Sequence, residues 1–143
     1  MKCSEVMTTE IVFSLPSESL DQVAKKMESA DIGPVPIVED QTNRKLIGMV
    51  TDRDLALRAV ARGLDPKTTR AEEVMSRDIV TCNGNEDVQK ALDLMGKHQV
   101  RRLPIADSDG RLVGIISQAD VATRLGESEK TAEMVEEISE PRG

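Results

Sequence analysis

Displacing the sequence against itself by 68 residues lays Val6-Met7-Thr8 on Val74-Met75-Ser76, Val12 on Val80 and Glu18 on Glu86. The same offset pairs Met27 with Met95 and Pro36-Ile37 with Pro104-Ile105. Past a polar loop that is two residues longer in the first copy (39–45 against 107–111), the offset becomes 66. Gly48, Thr51, Asp54 and Arg58 then meet Gly114, Ser117, Asp120 and Arg124. An insertion confined to a polar loop is what a duplicated fold tolerates. The chain is one unit written twice.

Each copy reads the same way. A lead-in ends at Met7 or Met75, and an extended piece follows at Ile11 to Phe13 or Ile79 to Thr81. Leu20, Val23, Ala24 and Met27, repeated as Val88, Ala91, Leu92 and Met95, then recur at i, i+3, i+4, i+7. That spacing predicts an amphipathic helix with one buried face. Strands are expected at Val35 to Val38 and Leu103 to Ala106. After a turn, Ile47, Met49 and Val50 (Val113, Ile115 and Ile116 in the second copy) form a second apolar run that hands over to a helix at Thr51 or Ser117. Each unit is therefore β-α-β-β-α, an α/β chain in the α+β sense. A single unit leaves a helix face uncovered, so two halves packed about a pseudo-twofold axis are expected. The expected boundaries are 1–66 for the first unit with its linker helix, 67–126 for the second, and 127–143 for an acidic, weakly amphipathic tail. Helix 52–62 is stopped by Gly63 and Pro66.

Composition excludes several classes of function. A length of 143 residues suffices for a real core, and 38% hydrophobic with 31% charged residues is ordinary for a soluble protein. Phe13 is the only aromatic, which argues against a base-stacking platform. A net charge of −7 argues against binding a nucleic-acid backbone. No apolar run approaches a membrane span, and Met1 to Glu5 does not read as a signal peptide. Two cysteines, Cys3 and Cys82, are too few for a disulfide scaffold, so a cytoplasmic protein with reduced thiols is expected. With His98, the only histidine, they stand at no diagnostic metal spacing, and no metal site is expected. His98 reads as a helix-end residue beside the negative dipole end.

The chemistry concentrates in Gly48-Met-Val-Thr51-Asp-Arg-Asp54-Leu and its repeat Gly114-Ile-Ile-Ser117-Gln-Ala-Asp120-Val. Two jobs compete for the hydroxyl and the aspartate. One is helix capping, in which the hydroxyl accepts a first-turn N–H and the Asp three positions on reaches back, worth about 1 kcal/mol. The other is ligand binding: free N–H groups at a helix start suit a phosphate, and the carboxylate suits a neutral diol such as a ribose. One Thr is able to do both. Arg53, which is Ala119 in the second copy, either reaches an anionic ligand or plays an i, i+4 surface role.

The order and duplication of these motifs resemble the tandem CBS-motif family (named for cystathionine β-synthase), whose pairs are called Bateman modules. The resemblance runs from about Glu5 to Leu125. It rests on the paired Gly-h-h-Thr/Ser-x-x-Asp-h stretches (h, apolar), on Val35-Pro36-Ile37 and Leu103-Pro104-Ile105, and on the Val-Met-Thr/Ser lead-ins. Val50 to Asp54 and His98 to Pro104 further resemble stand-alone bacterial two-motif proteins, including the hypoxic-response type. The resemblance implies a sensor with two clefts able to hold AMP, ADP, ATP or S-adenosylmethionine. Carried over residue by residue, it implies that Asp54 and Asp120 hold ribose hydroxyls and that Thr51 and Ser117 contact phosphate. The base would lie against Ile11 and Val12, Ile79 and Val80, and beside Pro36 and Pro104, that is against Val35 and Leu103. In the regulatory subunit of the AMP-activated kinase, positions matching Arg101 and Arg102 carry basic residues that reach phosphates. The first copy has Gly33 and Pro34 there, so one better and one poorer site are expected.

The leading expectation is a regulatory module that binds an adenine nucleotide, forms a homodimer and passes an energy or stress signal to a protein partner. No effector domain stands beside the two repeats, so any output is expected through association. The alternative is a ligand-free scaffold or stress-response interaction protein using the same fold. An enzyme is not expected, because no nucleophile–base arrangement, P-loop or metal cluster is legible.

Overall fold

The computed structural model describes residues 1–126; the acidic tail expected at 127–143 lies outside the described residues. The elements are α1 (Cys3–Val6), α2 (Leu20–Ala30), β1 (Pro34–Val38), β2 (Leu46–Thr51) and α3 (Asp52–Asp54), which continues as a π-helix over Leu55–Val60. The second half repeats them as α4 (Ala71–Val74), α5 (Val88–His98), β3 (Arg102–Ala106), β4 (Leu112–Ser117) and α6, residues 118–126. This is an α+β fold with two small antiparallel sheets, β1–β2 and β3–β4.

The two sheets share one register. Pro34 pairs with Thr51 and Ile37 with Gly48, as Arg102 pairs with Ser117 and Ile105 with Gly114, and each ladder shifts register just before its last pair. The extended pieces at Ile11 to Phe13 and Ile79 to Thr81 do not form ladders. Each contributes a single parallel bridge one residue later, Ser14 to Ile37 and Cys82 to Ile105. Pro36 and Pro104 sit on that side of their strands, where a proline has no N–H to give; their carbonyls instead accept from Ser14 and Cys82.

α2 begins at a complete capping box, Ser19 with Gln22, and buries Leu20, Val23 and Met27. Ala24, placed by the spacing on that face, is exposed, while its counterpart Leu92 in α5 is half-buried. A methyl group is too short to reach the core from the edge of the stripe. The helix after β2 also departs from expectation. It winds as a π-helix, with the Ala61 N–H donating to the Ala56 carbonyl, and it turns Ala59 inward while Leu57 and Val60 stay exposed.

The lead-ins are exchanged between the units. Ala71, Val74 and Met75 complete the core built by Leu20, Val23, Met27, Val35, Ile37 and Val50 of the first unit. Cys3 and Val6 complete the core of Cys82, Val88, Ala91, Met95, Leu103, Ile105 and Ile116 in the second. Helices of four residues do not persist alone, so α1 and α4 exist through this burial. The exchange explains the motif glycines. A methyl built on Gly48 would overlap the Met75 side chain, and one on Gly114 the Met7 side chain. Reciprocal pairs mark the pseudo-twofold: Thr8 bridges Ile115 as Ser76 bridges Met49, and Leu46 donates to Gly110 as Leu112 donates to Arg44.

Candidate functional site

Because each lead-in crosses over before its chain returns, each extended piece runs past the helix start of the other unit. After pairing with Met49, the chain leaves Ser76 and lays Ile79 and Val80 beside Thr51 and Asp54. After pairing with Ile115, it leaves Thr8 and lays Ile11 and Val12 beside Asp120. The result is two clefts, each made from both repeats.

The larger cleft has a volume of about 1250 Å³. It gathers Thr51, Asp54, Ile79, Val80, Arg101, Arg102, Leu103, Pro104 and Ser117 of the residues singled out in the sequence. The smaller, about 230 Å³, gathers Ile11, Val12, Pro36 and Asp120, and shares Arg102, Leu103 and Pro104 with the larger. Val35 and Arg53 fall outside both. Val35 points the other way along its strand and is fully buried in the first core. Arg53 is exposed on α3, where its backbone N–H donates to Asp52 Oδ1 at 2.9 Å.

At the start of α3 the capping reading is realised in full. Thr51 Oγ1 accepts from the Asp54 N–H at 3.1 Å, and Asp54 Oδ2 accepts from the Thr51 N–H at 2.9 Å. The other carboxylate oxygen faces Arg58 Nε at 3.7 Å, and Arg58 also donates to the Val74 carbonyl. Capping does not exhaust these groups. The Thr51 hydroxyl still has its own proton to donate, and each carboxylate oxygen keeps a lone pair for a diol. At the start of α6, Ser117 Oγ accepts from the Asp120 N–H at 3.0 Å. The backbones on either side also match: the Asp52 N–H donates to the Gly33 carbonyl and the Gln118 N–H to that of Arg101.

The larger cleft is divided in charge. Asp31, Asp52, Asp54 and Arg58 come from the first repeat, and Asp78, His98, Arg101 and Arg102 from the second, so acids predominate on one side and bases on the other. Sequence reasoning missed Asp31, Asp52, Asp78 and Arg58 as lining residues; only Arg58 carried a signal, its i, i+4 spacing from Asp54. His98 closes α5 and lines this cleft, whereas the Cys3 thiol lies against the Asp87 carbonyl at the opposite end of that helix. Eleven residues of α-helix, about 15 Å, separate them, so these three donors do not fit one metal ion. Among the described residues, no group of three or more His, Cys, Asp or Glu side chains is placed to hold one. No helix among them is long and apolar enough to cross a membrane.

Residues 3–60 and 71–127 each match the CBS domain model. The chain belongs to the CBS-domain family. It is 38% identical over 135 residues to CBS domain-containing protein YhcV of Bacillus subtilis, covering 94% of this chain and 93% of that one. It is 39% identical over 123 residues to hypoxic response protein 1 of Mycobacterium tuberculosis, covering 86% and 84%. Among solved structures it is similar to hypoxic response protein I with two coordinated zinc ions, with a TM-score of 0.78, 36% identity and coverage of 86% and 98%. It is also similar to the CBS domain pair of protein MJ0100 in complex with 5′-methylthioadenosine and S-adenosyl-L-methionine, with a TM-score of 0.75, 26% identity and coverage of 90% and 98%.

Proposed function

We propose that this CBS pair is a regulatory module that binds one adenosyl ligand per chain in the larger cleft and transmits its occupancy to a protein partner. The observation that carries the reading is the joining of the Thr51–Asp54 helix start, the Ile79–Val80 wall and the Arg101–Arg102 pair in a single space. Ligand pockets for small molecules run from about 300 to about 1,000 Å³. A cleft of about 1250 Å³ admits a nucleotide, and one of about 230 Å³ does not. Asp54 accepts the ribose diol, Ile79, Val80, Leu103 and Pro104 sandwich the base, and Thr51 and Ser117 donate to phosphate. The Arg101 fork reaches the same group bidentately. The adenosyl ligands of the MJ0100 pair support the class of ligand.

A second copy of the chain is the expected neighbour. Leu57, Val60 and Leu125 are exposed on the helices that follow the two motifs, Val60 by 77%, and Leu64 is exposed in the loop just beyond the first of them. Such side chains are stabilised when another apolar surface covers them. Calorimetric titration with AMP, ADP, ATP and S-adenosylmethionine tests the reading. One site per chain for at least one of them supports it; no heat or protection from any of them favours the ligand-free scaffold.

A further inference from the structure

The exchanged lead-in brings the chain's two cysteines together. Cys3, in α1, and Cys82, at the parallel bridge with Ile105, are both buried in the second core, far apart in sequence and adjacent in space. The Cys3 thiol donates to the Asp87 carbonyl at 3.8 Å, and the two thiols are close enough to influence each other's ionisation. The matching positions around the first unit's core are Ala71, from the other exchanged lead-in, and Ser14, so the fold does not require sulfur at either place. The Ser14 hydroxyl, at the position matching Cys82, is buried with no hydrogen-bond partner.

We propose that Cys3 and Cys82 are a redox modification site, closed to an intramolecular disulfide by a hydroperoxide, which latches the exchanged lead-in onto the second unit. α1 is only four residues long. Its backbone is tied to the second unit by the N–H groups of Cys3 and Ser4, donating to the Glu86 and Gly84 carbonyls, and by the Lys2–Asp87 bridge. Opening that one segment admits the oxidant. The Cys3 thiolate attacks a peroxide oxygen, the O–O bond breaks, and Cys3 becomes a sulfenic acid as water leaves from hydrogen peroxide, or the alcohol from an organic hydroperoxide. The Cys82 sulfur then displaces the sulfenic hydroxyl, which leaves with the Cys82 proton as water, and forms the S–S bond. Two thiols lose two electrons and two protons; the peroxide gains them. Burial, with the Glu86 carboxylate beside it, pushes both thiols up, Cys82 to about 11. That makes the pair slow to react but, since a thiolate of high pKa is a poor leaving group, resistant to reduction once closed.

The test is treatment of the full folded chain with hydrogen peroxide, followed by intact mass, a non-reducing digest and thermal melting. The expected product has lost two hydrogens and links the peptides of Cys3 and Cys82 within one chain. It melts higher by roughly 10 °C because it closes a long loop of the unfolded chain, and a dithiol reductant reverses it. Cys3→Ala and Cys82→Ser, which copy the first unit's own residues, melt like the reduced parent and gain nothing on oxidation. Separate oxygen addition at each sulfur, a covalent dimer between chains, or a reaction only after denaturation would overturn the proposal. So would a linked product that melts lower.

Discussion

In the larger cleft Thr51 and Asp54 face an Ile-Val pair, Ile79 and Val80; in the smaller, Asp120 faces an identical pair, Ile11 and Val12. Backbone placement and carboxylate are reproduced, while the Ser117 hydroxyl lines the larger cleft rather than the smaller, and the volumes are about 1250 and about 230 Å³. What differs is the side chains at non-repeating positions. Arg101 and Arg102 stand where the first repeat has Gly33 and Pro34, and Arg101 lines only the larger space, whereas the acid at the start of each extended piece recurs as Glu10 and Asp78. Duplication copies a scaffold; which copy has usable chemistry is decided one side chain at a time.

That comparison makes the two units mechanically equal and chemically unequal, and both halves are open to attack. Ile37 and Ile105 are equivalent, fully buried and bridged to Ser14 and Cys82. Truncation of either to Ala is expected to cost about 3 kcal/mol in denaturant unfolding. A large difference between the two would break the claim of equal cores. Gly48→Ala and Gly114→Ala come next, at about 2 kcal/mol each, because the new methyl meets Met75 or Met7. Pairing each with truncation of its methionine sharpens the test: Met75→Ala recovers part of the loss with Gly48→Ala and none with Gly114→Ala, which verifies the exchange of lead-ins.

The exchange is also where the sequence was least legible. The 68-residue offset, the helix faces and the paired strands followed from periodicity, and both 11-residue helices lie where the spacing put them. The repeat marks the Val-Met lead-ins as equivalent but not which unit each packs against, because the two cores accept the same residues. The cleft pairing of Asp54 with Ile79 and Val80 was hidden for that reason. The burial of Val35 escaped for another: in Pro34-Val-Pro-Ile-Val38 four of the five positions are buried, so no alternation marks which residue faces the cleft. The π winding after Asp54 left no mark in composition at all.

Two smaller effects probe the chemical inequality. Arg101→Ala is expected to weaken a phosphate-bearing ligand about tenfold and to flatten its salt dependence, with little change in melting, since Arg101 is exposed. Thr51→Ala and Ser117→Ala each remove a helix cap and cost about 1 kcal/mol of stability. Of the two, Thr51→Ala has the larger effect on binding, because it lies beside Asp54 in the cleft.

The most direct measurement is calorimetric titration of Asp54→Ala and Asp120→Ala beside the parent chain, with AMP, ADP, ATP and S-adenosylmethionine. We expect one site per chain in the parent, lost in Asp54→Ala and retained in Asp120→Ala, with both variants folded by melting. Two equal sites in the parent, or binding abolished by Asp120→Ala and spared by Asp54→Ala, would contradict the assignment of the larger cleft as the one that works.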